Sequence, residues 1–443
     1  MKKILLSLIT ILMPLALLAQ QAGDNFTIKT TDGKTTEWSL AGDSKNGDIS
    51  TIKHKSNQLI LYAKGYEGIE WATYDIDKIE SITFNVFHKG SYVEESAAQA
   101  VKNMGIGTNF GNCTDVVAMW MNMNSNSVTD FEKAWGQEPT TKPMVDFLKK
   151  NGFNSVRIPV TWFQHMKEDG TVDEAWMNRI QEIVDYVIDN GMYCILNVHH
   201  DTGADDEKVK HWIKADEANY KENKEKFEYL WTQIATRFKN YDHHLVFEGY
   251  NEMLDADNTW NAPKSASSYK GLNGYAQSFV NAVRATGGNN ETRNLIVNTY
   301  AAANGDEVLN NLTIPTDKVE GHIAVEVHTY APWDWFAQKG KWDASCSNEI
   351  KNMFTRLSNK FISKGIPCII GEYGTHGSKS VSKTSSASEI QAAADQAADI
   401  VKQAKAYGVA TFYWMSIFTE KDRTVPQWTL PTVVEAMKKA YNE

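Results

Sequence analysis

The chain has 443 residues and a net charge of −10 at pH 7, with 42% hydrophobic and 23% charged residues. This composition is that of a globular protein, and the length suits one large domain with a smaller one attached. The acidic balance and the absence of a long basic stretch exclude an electrostatic interaction with nucleic acid or anionic lipid, so we expect a neutral substrate.

The first element in the sequence is an export signal over residues 1–19. Two lysines precede an apolar run over residues 4–18, and small Ala19 comes before polar Gln20. This order is typical of a secretory signal peptide and is too short to favour a transmembrane helix. No cysteine follows that would indicate a lipid anchor, and no other segment is long and apolar enough to span a bilayer. We therefore expect the protein to be secreted, periplasmic or held at the cell surface.

Residues 20–90 predict a small β-rich module. The segments FTIKTTDGKTTEWSL, NQLILYA and SITFNVF alternate apolar and polar residues around D-G and N-G turn signals, which indicates hairpins. The segment has no cluster of catalytic side chains. It is therefore either a structural spacer or a module that contacts glycan or the cell surface. Residues 88–100 form the predicted linker to the main domain.

Residues 101–443 predict an α/β fold, the (β/α)8 or TIM barrel. Eight β-rich runs, from MGIGTNF to GVATFYWM, alternate with amphipathic helical patterns such as DEAWMNRIQEIVDYVIDNG. A doubly wound open sheet is the alternative, but no Gly-rich dinucleotide turn follows the first strand.

The cysteines and histidines do not suggest a metal site or a disulfide framework. Cys194 and Cys368 lie in apolar runs where buried thiols are common, whereas Cys113 and Cys346 lie in loops and leave a pairing open. No C-x-x-C or H-E-x-x-H spacing is present. We expect no metal and no organic cofactor.

Polar side chains recur where the predicted barrel strands end, which is where barrel enzymes carry their active sites. Burying so many polar groups at one rim without a use would cost a few kcal/mol for each unpaired group. In chain order these residues are Arg157, His199, His200, Asn251, Glu252, His328, Tyr330, Glu372 and Trp414.

Two of these residues, Glu252 and Glu372, suit glycoside hydrolysis. One acid must protonate the leaving oxygen while a second carboxylate attacks the anomeric carbon. The attacking carboxylate must stay ionised, for which Arg157 and Tyr330 are the candidate partners, and Asn251 is placed to bind a sugar 2-hydroxyl. The 14 Trp, 18 Tyr and 17 Phe also suit stacking against sugar rings.

Six separated motifs, RIPVTW, NVHHD, YNE, VHTYAPW, IIGEYG and YWM, resemble glycoside hydrolase family 5 in their order and spacing. The segments MGIGTNFGN and GFNSVRIPVTW are similar to its subfamily 4, which contains endoglucanases, xyloglucanases and licheninases. The resemblance covers residues 101–440. It implies a cellulase-type (β/α)8 enzyme.

The resemblance also implies a role for each matching residue. Glu252 would be the acid/base and Glu372 the nucleophile, with Asn251 on the 2-hydroxyl of the sugar at subsite −1. Arg157 and Tyr330 would orient Glu372 and stabilise its charge.

Further sugar contacts follow from the same resemblance. His328 would lie beside the acid/base, and one or both of His199 and His200 would line the −1 sugar. Trp414 would form the stacking floor, at a position where family members often have a non-prolyl cis bond. Asn112 and Asp115 would bind sugar on the glycone side.

The sequence departs from the subfamily at two positions that bear on the outer subsites. Thr108 replaces the usual Trp of the first strand, and Met253 stands where Pro normally follows the acid/base motif. Glu248 is expected to face the barrel wall or a neighbouring residue. Trp162, Trp333 and Trp335 suit core packing and sugar stacking equally well.

Taken together, the sequence predicts a secreted, monomeric, retaining endo-β-1,4-glucanase acting on cellulose, xyloglucan or mixed-linkage glucan. An endo-β-mannanase or xylanase of the same fold is one alternative. A non-catalytic glycan-binding barrel is the other.

Overall fold

The structure is a computed structural model that describes residues 25–39, 49–63, 70–85, 93–332, 341–375, 380–415 and 422–443. The chain divides into two compact units, residues 1–91 and 92–443. The signal predicted over residues 1–19 and the aromatic residues Trp333 and Trp335 lie outside the described residues.

The N-terminal unit consists of two three-stranded antiparallel sheets, which confirms the β-rich module and its hairpins. One sheet has the order β2-β1-β6 and the other the order β3-β4-β5. Apolar side chains that alternate along the strands, such as Phe26, Ile28, Leu59 and Leu61, form its core. The strands are β1 (Asn25–Thr30), β2 (Thr35–Ser39), β3 (Ile49–Lys55), β4 (Gln58–Ala63), β5 (Glu70–Asp75) and β6 (Ile79–Asn85).

The C-terminal unit is built on a closed barrel of eight parallel strands, as predicted. Its order around the barrel is β7-β8-β9-β10-β11-β12-β13-β14, with β14 pairing back to β7. All eight strands are buried on both faces, which explains their nearly continuous apolar sequences. The strands are β7 (Ile106–Asn109), β8 (Ser155–Ile158), β9 (Tyr193–Asn197), β10 (Leu245–Glu248), β11 (Leu295–Asn298), β12 (Ile323–Thr329), β13 (Cys368–Tyr373) and β14 (Ala410–Tyr413).

Helices surround the barrel and bury their apolar faces against it. Asp173 caps one of them by accepting hydrogen bonds from the backbone N–H groups of Ala175 and Trp176. Another begins with a Ser386–Glu389 capping box and ends at Gly408 in the left-handed conformation. The helices of the described segments are α1 (Ala97–Met104), α2 (Val128–Lys133), α3 (Lys142–Lys150), α4 (Glu174–Ile188), α5 (Glu217–Arg237), α6 (Ala266–Ala285), α7 (Asp306–Asn311), α8 (Ala344–Lys360), α9 (Ala387–Tyr407) and α10 (Pro431–Asn442).

The interior of the barrel changes from apolar to polar along the strands. Near the strand starts, side chains such as Ile195, Val246, Ile296 and Phe412 pack together with helix α1 in one cluster. Two residues further along several strands, on the same face, stand buried polar residues such as Glu248 after Val246. The polar layer therefore faces the end of the barrel where the strands finish, which is the rim predicted from the sequence.

Three smaller expectations are settled by the fold. Trp162 is completely buried and donates its indole N–H to the carbonyl of Asn197, so it belongs to the core. Cys113 and Cys346 are buried thiols that are not joined to each other. Within the described segments, no helix has the length and apolar character needed to cross a membrane.

Candidate active site

Arg157 is the centre of the polar layer and is completely buried. Its Nε and Nη2 donate to the two carboxylate oxygens of Glu248 at 2.7 and 2.8 Å. Nη1 donates to Asn109 and to Glu372, and Nη2 also donates to Asn251, each at 2.9 Å. A buried guanidinium is tolerated only when it is paired in this way. Arg157 thus links two of the predicted site residues, Glu372 and Asn251, to the interior of the barrel. Glu248, which was expected to face the barrel wall or a neighbouring residue, faces Arg157.

Glu372 points into the barrel because strand β13 contains a bulge. Val327 of β12 is opposite Ile370, but the next residue, His328, is opposite Glu372, which leaves Gly371 as the extra residue. Ile370 and Tyr373 both pack in the outer core, so the bulge turns Glu372 to the inner face.

Both carboxylate oxygens of Glu372 are hydrogen-bonded. Oε1 accepts from Arg157, and Oε2 accepts from the Tyr330 hydroxyl at 2.7 Å. Burial raises the pKa of Glu372, and the positive charges of His328 and Arg157 offset that effect only in part. Burial and the charge of Glu372 hold the pKa of Tyr330 well above its ordinary value, so its hydroxyl remains a donor. Glu372 is fixed in one orientation by two donors.

Glu252 lies opposite and is connected to His328. The Nδ1 of His328 is 2.8 Å from Glu252 Oε1, and its Nε2 is 3.1 Å from Glu326 Oε1. Burial disfavours a charged imidazole, but the negative charge of Glu372 and the hydrogen bonds with Glu252 and Glu326 raise the pKa of His328 to about 10. Burial also raises the pKa of Glu252, yet the hydrogen bond and charge of His328 outweigh it and leave this pKa below its ordinary value. These opposite shifts in pKa favour the proton of the pair on His328 rather than on Glu252.

The distance between the two glutamates fits one type of sugar chemistry. A carboxylate oxygen of each glutamate and a nitrogen of His328 all lie within 4.8 Å of one another. Such a cluster also has the donor atoms for a cation, but both nitrogens of His328 are already hydrogen-bonded to carboxylates. Carboxyl groups about 5 Å apart are typical of glycosidases that retain the anomeric configuration.

His199, Asn251 and Trp414 lie together beside this pair. The Nδ2 of Asn251 is 3.4 Å from His199 Nε2, and the rings of His199 and Trp414 are nearly parallel at 5.8 Å. A Cβ atom at Gly111 would come within 2.9 Å of the Trp414 ring, so glycine is needed there for the indole to fit. Among the described residues the only cis peptide bond is Ala331–Pro332. The expectation of a non-prolyl cis bond at Trp414 is therefore wrong.

The remaining predicted residues form a second polar group next to His199. His200 Nε2 is 3.9 Å from Asp115 Oδ2, and the His200 ring lies 5.6 Å from that of Trp135. Asp115 is completely buried, and burial raises its pKa to about 7. Its Oδ2 has no hydrogen-bond partner within the described ranges. Asn112 is partly exposed, with a φ of 60°, in the turn before Asp115.

Sequence reasoning missed several residues of this network. Asn109, Asn197 and Glu326 are buried and contact Arg157, His199 and His328. A signal was present in VEVH, where Glu326 precedes His328 by two residues and so lies on the same face of the strand.

Comparison with known proteins agrees with this geometry. The family Cellulase (glycosyl hydrolase family 5) matches residues 113–418. The chain is 35% identical over 367 residues to Cellulase/esterase CelE of Acetivibrio thermocellus, a match that covers 77% of this chain and only 40% of CelE.

Two solved structures are similar over most of the chain. The crystal structure of PbGH5A, a glycoside hydrolase family 5 enzyme of Prevotella bryantii B14, has 57% identity and a TM-score of 0.76, and covers 80% of this chain and 100% of that chain. A GH5-4 broad specificity endoglucanase from an uncultured bacterium has 44% identity and a TM-score of 0.75, and covers 80% of this chain and 98% of that one. By sequence and by fold, the chain belongs to glycoside hydrolase family 5.

Proposed function

We propose that this protein is an endo-β-1,4-glucanase that hydrolyses β-glucans with retention of configuration, using Glu372 as nucleophile and Glu252 as acid/base. The observation that carries the proposal is the pair of carboxylates, with oxygens within 4.8 Å of each other and in different surroundings. Glu372 accepts from Arg157 and Tyr330, whereas Glu252 is hydrogen-bonded to His328.

In the first step Glu372 attacks the anomeric carbon of the sugar at subsite −1. The bond to the leaving oxygen breaks, its electron pair stays on that oxygen, and Glu252 supplies the proton. The proton reaches Glu252 from His328 Nδ1 across the 2.8 Å hydrogen bond, which leaves a neutral imidazole and a carboxylic acid. This transfer does not alter the total charge of the pair, and exclusion of water by the sugar favours the neutral form.

In the second step Glu252, now a carboxylate, takes a proton from water. The water oxygen attacks the anomeric carbon, and the bond to Glu372 breaks with its electron pair returning to the carboxylate. Asn251 is held by Arg157 and His199 in a position to donate to the 2-hydroxyl, and Trp414 offers a flat face to the sugar ring. His200, Asp115 and Asn112 extend the polar surface toward the glycone side.

The substrate class rests on the neutral polysaccharide expected for an acidic protein and on the neighbouring enzymes. A mutant of PbGH5A has been solved in complex with a xyloglucan tetradecasaccharide, and the second neighbour is described as having broad specificity. We propose cellulose, xyloglucan and mixed-linkage glucan as substrates of a secreted monomer, with residues 101–443 as catalytic domain. The module at 20–90 is proposed as spacer or glycan contact. Mannan, xylan and a purely binding role are the alternatives.

A substrate panel tests the proposal. Purified protein is assayed for reducing ends on carboxymethyl-cellulose, xyloglucan, lichenan, mannan and xylan, together with the variants Glu252→Gln and Glu372→Gln. We expect activity on the three glucans and a loss of orders of magnitude in each variant, because neither carboxylate can perform the other's role. Glu435→Gln, an exposed change on α10, is the matched control with wild-type activity. Activity confined to mannan or xylan, or retained in Glu372→Gln, contradicts the proposal.

A further inference from the structure

Glu326 is a buried carboxylate beside the catalytic pair that the mechanism above does not use. It lies on β12, two residues before His328 and on the same inner face of the strand. Its side chain is completely buried, and Oε2 has no hydrogen-bond partner among the residues that the structure describes. A buried carboxylate with an unsatisfied oxygen destabilises the fold, so its presence needs a reason.

The ion pair with Arg157 accounts for only part of this burial. Arg157 Nε is 3.3 Å from Glu326 Oε1, but the same Nε donates to Glu248 at 2.7 Å, and the other guanidinium nitrogens are all engaged. The hydrogen bond that Glu326 does make is with His328 Nε2 at 3.1 Å.

The barrel also makes room for this carboxylate. A Cβ atom on Gly371 would lie 1.8 Å from Glu326 Oε1, so any residue larger than glycine would displace it. Gly371 is the bulged residue that turns Glu372 inward. The same backbone feature therefore places the nucleophile and accommodates Glu326.

We propose that Glu326 is a positioning residue for the proton of the acid/base, acting through His328. By accepting from Nε2 it fixes the ring so that Nδ1 faces Glu252, and its negative charge holds a proton on the imidazole until Glu252 takes it. Glu326, His328 and Glu252 thus form a chain that loads the acid with its proton. This inference rests on the proposed function, because it presumes that Glu252 is the acid.

Other charged groups face His328 and act on its protonation as well. Glu372 on β13 is 3.7 Å from Nδ1 and favours the charged imidazole, as Glu252 does. Burial lowers the pKa values of His199 and His200, which follow β9, so both rings are neutral near pH 7 and place no positive charge beside His328. Within the described ranges, only Glu326 is hydrogen-bonded to Nε2 of His328. Replacing Glu326 therefore changes the proton affinity of His328 and leaves both catalytic glutamates in place.

The test is the pH dependence of kcat/KM in Glu326→Gln, which keeps the shape and an acceptor oxygen but removes the charge. We expect the alkaline limb of the profile, where the His328–Glu252 pair loses its proton, to shift to lower pH by about one unit or more. Glu326→Asp keeps the charge and is expected to stay within about half a unit of the wild type. Glu248→Gln is the matched control, since it removes a buried charge on Arg157 that does not contact His328.

A second readout separates positioning from mere structural support. An aryl β-cellobioside with a strongly acidic phenol does not need protonation of its leaving group. We therefore expect Glu326→Gln to slow glycan hydrolysis at least tenfold more than cleavage of this substrate. Equal losses on both substrates, or a limb shift no larger than that of Glu248→Gln, overturn the inference.

If the variants do not fold, NMR of the wild-type protein gives a third readout. The ¹⁵N chemical shifts of the His328 ring are assigned by comparison with His328→Gln. We expect both ring nitrogens to be protonated at pH 7, and a neutral ring overturns the inference. Failure of the proposed function can be told apart from failure of this inference, because only the former would leave Glu252→Gln and Glu372→Gln active.

Discussion

The hydroxyl of Tyr330 is one of two donors to Glu372, and Tyr330→Phe removes it with no other change in the side chain. The hydrogen bond is 2.7 Å long and ends on Oε2, while Oε1 keeps its bond to Arg157. Because the Tyr330 hydrogen bond lowers the pKa of Glu372, its loss must raise that pKa further above the ordinary value.

The size of the effect follows from the type of bond. A hydrogen bond to a charged group contributes about 1.5–3 kcal/mol, and 1.36 kcal/mol corresponds to one pKa unit. The pKa of Glu372 should therefore rise by about one to two units. Glu372 must be ionised to attack, so the acid limb of kcat/KM should move to higher pH by the same amount. Below that limb, the variant should be about 10 to 100 times slower than the wild type at the same pH.

The assay is the initial rate on a soluble β-glucan from pH 4 to 9, with melting temperature as a check on folding. Tyr373→Phe is the matched control: the Tyr373 ring packs in the outer core, and its hydroxyl is not one of the two donors to Glu372. We expect its acid limb to coincide with that of the wild type. A Tyr330→Phe profile with an unmoved acid limb would refute the reasoning, since it would mean that Tyr330 does not favour the ionised nucleophile.

Three further predictions concern the network around the pair. Arg157→Met should lower the free energy of unfolding by about 3–5 kcal/mol, because it leaves the buried carboxylate of Glu248 without its cation; a urea titration that finds less than about 1 kcal/mol contradicts this. Ionisation of buried Asp115 is costly, so the wild type should lose up to about 4 kcal/mol of stability as the pH rises from 3.8 through about 7. Asp115→Asn lacks that loss, and its gain in melting temperature should be larger at pH 8 than at pH 5; equal gains contradict the buried titration. Gly371→Ala should reduce the melting temperature and kcat together through its overlap with Glu326, and Glu326→Ala added to it should recover part of the stability, whereas additive losses would rule out the steric explanation.

Much of the barrel was predictable because its signals are local. Strands buried on both faces require continuous apolar runs, and YCILN and LVFE correspond to β9 and β10. The helix α4 follows from its apolar stripe and its Asp173 cap. Polar residues at the ends of such runs indicated the rim, since parallel strands bring their carboxyl ends to one edge.

The interior network was less predictable because it depends on which strands are opposite each other. Nothing local in VRIP shows that Arg157 will bind Glu248, 91 residues away. The bulge at Gly371 is also absent from the apolar pattern, although it decides that Glu372 faces inward. Sequence alone predicted a protonated acid next to an ionised nucleophile. The structure adds the hydrogen bond between Glu252 and His328, and the charges around His328 favour the proton on its ring.

The most direct test of the account is to trap the nucleophile. The protein is incubated with a 2-deoxy-2-fluoro β-cellobiosyl fluoride, digested, and the labelled peptide is located by mass spectrometry. The fluorine slows both steps, and fluoride leaves without needing a proton, so the glycosyl-enzyme should accumulate. We predict one label per chain, on Glu372, and none in Glu372→Gln. A label on Glu252, or inactivation that leaves no covalent sugar, would contradict the two-glutamate mechanism.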